Sequence, residues 1–325
     1  MLDIDARKVV EEIKFYISKL ADDQNKSCVV LGLSGGIDSA VLVTLIARSI
    51  GPERVKAYFL KDRDSEKESE VNARKMADWL GVDLKVQDIS PVMEEKGIYT
   101  PLIMRLSTMA PSLNRFLLRM YLLIFRETPF ISSLKAGCEH VQRNLLNRMI
   151  YKLLTVHLEK SFIARHIYRR EVIEKAATDL NGLVLGAGNC SEFLVGWFVK
   201  GGIDDLPIQP MRGLYKSQIW QLAEYLELPL KIRRQVPSPD MMRGITDEFG
   251  IGMHYRRLDE ILDYIDRGMN DSEIHACGVT DKEIKYVHDI RRFSDWKRSS
   301  SHIKPPVSGG AGSPFRCNEN SINED

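Results

Sequence analysis

Ser34-Gly-Gly-Ile-Asp-Ser39 is the stretch of this 325-residue chain whose residue types and spacing point most directly to chemistry. It stands between the apolar run Cys28-Val-Val-Leu-Gly-Leu33 and Ala40-Val-Leu-Val-Thr-Leu-Ile-Ala47, which predicts a buried strand, a glycine turn and a helix. Adjacent glycines admit a ligand close to the backbone. The free N–H groups at the helix start, with the positive end of its dipole, suit a polyanion. Ser34 and Ser39 hydroxyls can donate to phosphate oxygens, and Asp38 can hold a bridging magnesium ion. No lysine precedes Ser39, so this is not a G-x-x-x-x-G-K-[ST] loop, nor is it a G-x-G-x-x-G dinucleotide fingerprint. A plain capped junction is the competing reading; the whole string on a strand–helix boundary favours phosphate binding.

A second cluster lies at Leu185-Gly-Ala-Gly-Asn-Cys-Ser-Glu192, again after a short apolar run and at a helix start. Glycine turns at the carboxyl ends of two strands of an open α/β sheet fall beside each other, where such sheets bind ligands. Glu192 can then supply a second carboxylate to the metal of Asp38, although a glutamate that merely stabilises a helix N-terminus is the alternative. Downstream loops carry Lys200, Lys216, Pro237-Ser-Pro-Asp240 and Gly244-Ile-Thr-Asp-Glu248, the last two in a proline-marked stretch suited to a lid. Cys190 is a candidate thiol carrier beside Glu192, with a core position as the simpler reading.

The elements that position these groups follow from periodicity. Residues 5–22 form a leading helix, then come strand 28–33, helix 37–50, strand 55–60, helix 65–80 and a strand from Val82 to Ile89. A helix around 164–179 leads into a short strand at 182–186. This alternation predicts an α/β fold with a doubly wound parallel sheet and right-handed crossovers. Between 91 and 159 the pattern breaks into Leu-, Met-, Phe- and Arg-rich helical runs, Tyr99 to Phe130 and then 139–158. Over 91–170 there are 13 basic against 5 acidic residues, about +8. That insertion reads as a dimer interface or a cap, as an amphipathic membrane-surface element, or as a clamp on an anionic substrate. The expected organisation is one domain over 1–300 with this insertion, and a flexible Ser-, Gly- and Pro-rich tail at 301–325, its composition changing from about Lys297.

Composition sets wider bounds. Hydrophobic residues make up 44% and charged residues 28%, and the formal net charge of +1 gives no general pull toward nucleic acid or membrane. Five cysteines without C-x-x-C spacing suggest neither a zinc site nor a disulfide framework. A charged, amphipathic start is no secretory signal, and a cytoplasmic protein without membrane contact is expected.

The first loop resembles the PP-loop of the N-type ATP pyrophosphatases, which split ATP between the α and β phosphates and adenylate a carboxylate or carbonyl. The ordered series resembles ammonia-dependent NAD synthetase over about 5–90 and 160–306: Ser34 to Ser39, Ala164-Arg165, Gly186 to Glu192, Phe198-Val-Lys200, Leu214-Tyr-Lys216, Pro237 to Asp240, Thr246-Asp-Glu248 and His302-Ile-Lys-Pro-Pro306. The resemblance implies an adenine nucleotide alpha hydrolase-like (Rossmann-like) fold. It implies an ATP site at Gly32, Leu33, Ser34, Gly35, Gly36, Ile37, Asp38 and Ser39, with Ala187, Lys216 and Ser238, and Mg2+ on Asp38 and Glu192. Asp38 and Lys216 would be the catalytic pair, and Arg165, Lys200, Asp204 and His302 would face the acceptor. The implied reaction adenylates deamido-NAD and amidates it with ammonia, giving NAD, AMP and pyrophosphate, in a homodimer. No glutaminase domain is evident in the chain.

The chain departs from the family pattern in its acceptor half. Ala187 stands where the family has threonine. Lys200 runs into Gly201-Gly-Ile-Asp204 in place of Y-G-D, leaving Asp204 or Asp205 as substitutes. Gln209-Pro-Met-Arg212 is inserted, and the R-M step after Ala164-Arg165 is missing, with Arg169 and Arg170 nearby. Alternatives are therefore a related adenylating amidotransferase or sulfur transferase with another acceptor, or an ATP-binding paralogue without turnover.

Overall fold

The computed structural model describes residues 2–106, 111–138, 149, 151 and 155–312. Four strands make a parallel sheet of order β3-β2-β1-β4: β1 (Cys28–Gly32), β2 (Val55–Lys61), β3 (Asp83–Asp88) and β4 (Gly182–Val184). Val29 of β1 pairs with Val55 on one side and Leu183 on the other. β1 is a continuous buried run, as a strand covered on both faces must be. Its side chains alternate between two cores. Val29 and Leu31 pack with helices α1 (Ala6–Asp23), α2 (Ile37–Ile50) and α3 (Lys67–Leu80), whereas Cys28 and Val30 pack with Ile173 and Ala177 of the long helix Val156–Asp179. Helices on both faces are the doubly wound arrangement read from the sequence.

Strand order carries the functional consequence. From β1 the chain winds outward through β2 and β3, then returns to place β4 on the other side of β1. Two loops leave neighbouring strands in opposite directions there, so the carboxyl ends of β1 and β4 open a crevice. A third core joins helices Tyr255–Asp266 and Asp281–Phe293 with the helix Pro129–Gly137.

The described part of the 91–159 stretch is helical, with Ser90–Glu95, Leu102–Leu106, Pro111–Phe125 and Pro129–Gly137. The expected helical run at 139–158 lies mostly outside the described residues. Helix Pro111–Phe125 is tied down by Tyr121 Oη on Ser132 Oγ (2.8 Å) and Asn114 Nδ2 on the Arg243 carbonyl (3.1 Å). Phe116, Leu123 and Ile124 remain exposed beside Arg115 and Arg119. Among the described residues no helix is long and apolar enough to cross a membrane.

The flexible tail expected from 301 does not hold for residues 301–312. Ile303 bridges to Ile208, Val307 enters the main core, and the Ser308 backbone N–H donates to Glu12 at 2.8 Å. Composition misled because a few apolar residues and backbone hydrogen bonds suffice to lay an irregular strand against an existing core. Residues 313–325 lie outside the described set.

Candidate active site

The first loop takes its shape from one glycine and two serines. Gly35 has φ +81, and a Cβ there would sit 2.1 Å from the Ser69 carbonyl oxygen, so only glycine fits. Ser39 Oγ accepts from the Ser34 backbone N–H at 3.1 Å and donates to the Gly36 carbonyl at 3.0 Å. Gly36 is the N-cap of α2 and no side chain caps it, so the first N–H groups of that helix are left to a ligand.

Asp38, in the first turn of α2, accepts from Lys216 Nζ at 2.5 Å and from Asn189 Nδ2 at 2.9 Å. Lys216 Nζ also reaches Glu192 Oε1 at 3.0 Å. Asn189 caps its own short helix by accepting from the Glu192 N–H at 3.0 Å, so the same residue bonds the Asp38 carboxylate and the Glu192 backbone. Tyr255 Oη donates toward Asp247 Oδ2 (3.2 Å) and Glu192 Oε1 (3.4 Å). Burial pushes Glu192 up to about 7 despite the Lys216 charge, and burial also pushes Asp247 up to about 6. Burial alone would lower the Lys216 pKa, but Asp38 and Glu192 outweigh it and hold the ammonium well above the ordinary lysine value. Asn189, Asp247 and Tyr255 were not assigned roles from the sequence. Asn189 and Asp247 sit inside strings already singled out, whereas Tyr255 gave no signal.

A cavity of about 600 Å³ opens over this cluster, lined by Gly32 to Ser34, Gly36 to Ser39, Ala187, Lys216 and Ser238 at one end. Lys200 and Asp204 line it too, with an apolar wall that includes Leu158, Phe162, Trp197 and Phe198. Gln209-Pro-Met-Arg212 buttresses the second loop. Gln209 Oε1 accepts from the Gly188 N–H at 2.8 Å, and a Cβ on Gly186 would lie 2.5 Å from that oxygen. The Arg212 guanidinium stacks 4.3 Å from the Phe193 ring centroid, and burial lowers its pKa to about 10.

Two expected acceptor residues do not reach the cavity. Arg165 is 0% exposed, held by Asp62 (2.9 Å) and Asp64 (3.2 Å), because helix Val156–Asp179 turns that position toward the β2 end. His302 is 4% exposed and bonds Asp205 at 2.8 Å and Arg212 at 3.1 Å. Lys200 is spent on the Trp296 carbonyl and Ser299 Oγ. Asp204 lines the cavity but meets His166 Nδ1 at 2.6 Å; burial would raise its pKa, yet the His166 partnership brings it below the usual value. The Cys190 thiol is buried in the third core, and burial raises it to about 12, which fits packing and not thiol chemistry.

A family model described as NAD synthase matches residues 9–100 and 157–301. The chain belongs to the NAD synthase family. The two matched segments leave out residues 101–156. The NH(3)-dependent NAD(+) synthetase of Thermotoga maritima is 31% identical over 284 residues, spanning 87% of this chain and 93% of the relative. That of Mesorhizobium japonicum is 31% identical over 315 residues, spanning 93% and 95%. Among solved structures, NMN synthetase from Francisella tularensis has a TM-score of 0.65 at 22% identity, covering 93% of this chain and 99% of that one. The NH3-dependent NAD synthetase from Campylobacter jejuni gives 0.62 at 20% identity, over 92% and 99%. These structural likenesses speak to the fold, and the family's carbon–nitrogen ligase chemistry comes with the sequence match.

Proposed function

We propose that this NAD synthase family member adenylates deamido-NAD with ATP and amidates it with ammonia, giving NAD, AMP and pyrophosphate. The observation that carries this is the convergence of Asp38, Glu192 and Lys216 at the mouth of a glycine-shaped, uncapped helix start. Gly32 to Ser39, Ala187 and Ser238 form the ATP end of the cavity, with backbone N–H groups for the phosphates. Lys216, held charged by its carboxylates, is placed to balance charge as pyrophosphate departs. Lys200 and Asp204 are the residues of the original set that remain candidates for the acceptor.

Two carboxylates, both oxygen donors, suit a magnesium ion that takes its other ligands from phosphates. Asp38 and Glu192 would hold Mg2+, which would supply positive charge against the phosphates. The chain's own contribution is positioning. The acceptor carboxylate oxygen attacks the α phosphorus as the bond to pyrophosphate breaks, and ammonia then displaces AMP from the carbonyl carbon. A cytoplasmic homodimer completes the proposal, supported by the exposed Phe116, Leu123 and Ile124 and read by light scattering on the eluted protein.

The test is stoichiometric. Purified protein with ATP, Mg2+, ammonium and deamido-NAD is expected to form NAD, AMP and pyrophosphate in equal amounts. Pyrophosphate release with another carboxylate but none with deamido-NAD would overturn the acceptor.

A further inference from the structure

Helix Val156–Asp179 turns Phe162, His166 and Arg169 to the cavity from one face, at the three- and four-residue spacing of a helical stripe. Other basic side chains around the acceptor end are committed. Arg165 holds Asp62 and Asp64, His166 meets Asp204, and His302 meets Asp205. Lys200 and Lys297 donate to backbone carbonyls, and Arg170 is bound to Glu174.

Arg169 differs from all of these. Its side chain lines the cavity in a residue only 9% exposed, and its Nε has no hydrogen-bond partner. Among the described residues no carboxylate lies within ion-pair distance of it. Asp62 and Asp240 feel its charge, but both are engaged elsewhere. Asp62 accepts from Arg165 and from Tyr99 Oη at 2.5 Å, and Asp240 accepts from Ser69 Oγ at 2.6 Å and the Glu66 N–H at 3.1 Å. A guanidinium carries five donors and cannot shed its charge. Keeping one desolvated and unpaired is costly, and a fold tolerates it where a ligand completes the pair. With Leu158, Phe162 and Ile163 around the same wall, that charge acts in a water-poor setting where a charge-assisted bond is strong.

Resting on the ligase reading above, we propose that Arg169 is the anion-holding residue of this cavity, taking a phosphate or carboxylate oxygen of the molecule that fills it. The oxygen comes from ATP or from the acceptor, since both enter the same cavity. In sequence Arg169 stands one helical turn beyond Arg165, close to where the family's R-M step is missing. It supplies a cation to the cavity where Arg165 has been turned away.

The experiment compares wild type with Arg169→Met, reading thermal midpoints without ligand and with ATP–Mg2+, AMP or deamido-NAD, together with KM and kcat. The midpoint without ligand is expected to stay or rise, because an unpaired buried charge has gone. Affinity for one ligand is expected to fall about 10- to 100-fold, the usual worth of a charge-assisted hydrogen bond. A loss confined to ATP and AMP assigns the oxygen to the nucleotide; a loss confined to deamido-NAD assigns it to the acceptor. Affinities all within twofold of wild type overturn the proposal. Should Arg169→Met not fold, Arg169→Gln carries the same readout, keeping hydrogen-bonding capacity without the charge. If wild type makes no NAD from deamido-NAD, the ligase reading fails separately, and the ATP and AMP arms still decide Arg169.

Discussion

The two ends of the cavity are built on opposite principles. At the end proposed for the nucleotide the charges face one another: Lys216 sits between Asp38 and Glu192, and Asn189 bonds the Asp38 carboxylate and the Glu192 backbone N–H. Every one of those groups stands at a helix start, and α2 and the Cys190–Val195 helix follow strands of one parallel sheet. At the end proposed for the acceptor most basic side chains are bonded away from the ligand space, into carboxylates or backbone carbonyls, and apolar walls remain. A polyanion of fixed geometry rewards charges preset by rigid strands. An acceptor that differs between enzymes is selected by shape and by few charges, and helices can supply both without disturbing the sheet.

Three substitutions and one titration test this contrast between the two ends. The largest effect is expected from Lys216→Met, which leaves Asp38 and Glu192 without their counter-charge. Pyrophosphate release should fall about a thousandfold or more, and calorimetry without magnesium should register about 3–5 kcal/mol of destabilisation. Arg165→Met comes next. It strips the buried Asp62 of its ion-pair partner and leaves Asp64 to Arg63 alone, and should cost about 3–5 kcal/mol, with both KM values within twofold of wild type. A raised acceptor KM at unchanged stability would return Arg165 to the binding site. Gly35→Ala forces a side chain into positive φ and against the Ser69 carbonyl, for about 1–3 kcal/mol of strain. The ATP KM should rise about tenfold in steady-state assays while the acceptor KM holds.

The smallest effect concerns Lys297, which donates to the Gly196 and Phe198 carbonyls. Burial lowers its pKa to about 8 although Asp204 pulls the other way, against about 10.4 in an unfolded chain. Between those values the unfolded chain holds a proton that the folded one has released, so this group's contribution to stability rises with pH across that window. Pulse labelling of amines should find the Lys297 reactivity midpoint near 8, and a midpoint near 10 removes the basis for the shift.

The shape of the two glycine loops was largely legible in the sequence because its determinants are local. A glycine pair, a serine pair and a carboxylate within six residues specify a turn and a helix start, and the Gly186 to Glu192 string repeats the logic. Strand and helix positions followed for the same reason, with helix starts and strand ends off by a residue or two; the helix ending at Asp179 began earlier than read, at Val156. What escaped was set by long-range packing. Nothing near Arg165 or His302 announces Asp62 or Asp205, and a residue type that suits an anionic ligand equally suits a buried carboxylate. The tail was misjudged on composition, since Val307 finds a place only in a core made by residues far away. Tyr255 was invisible because an aromatic at helical spacing looks like any other core residue.

The bond between Asp38 and Lys216 joins positions 178 apart in the chain, and the one to Asn189 spans 151. At about 5–20 residues per second, the ribosome completes the glycine loop on the order of ten seconds or more before its lysine has been made. A growing chain therefore carries the glycine loop before any of these side-chain partners exists, so the first turn of α2 gains its Asp38 contacts only once residues far downstream have been made.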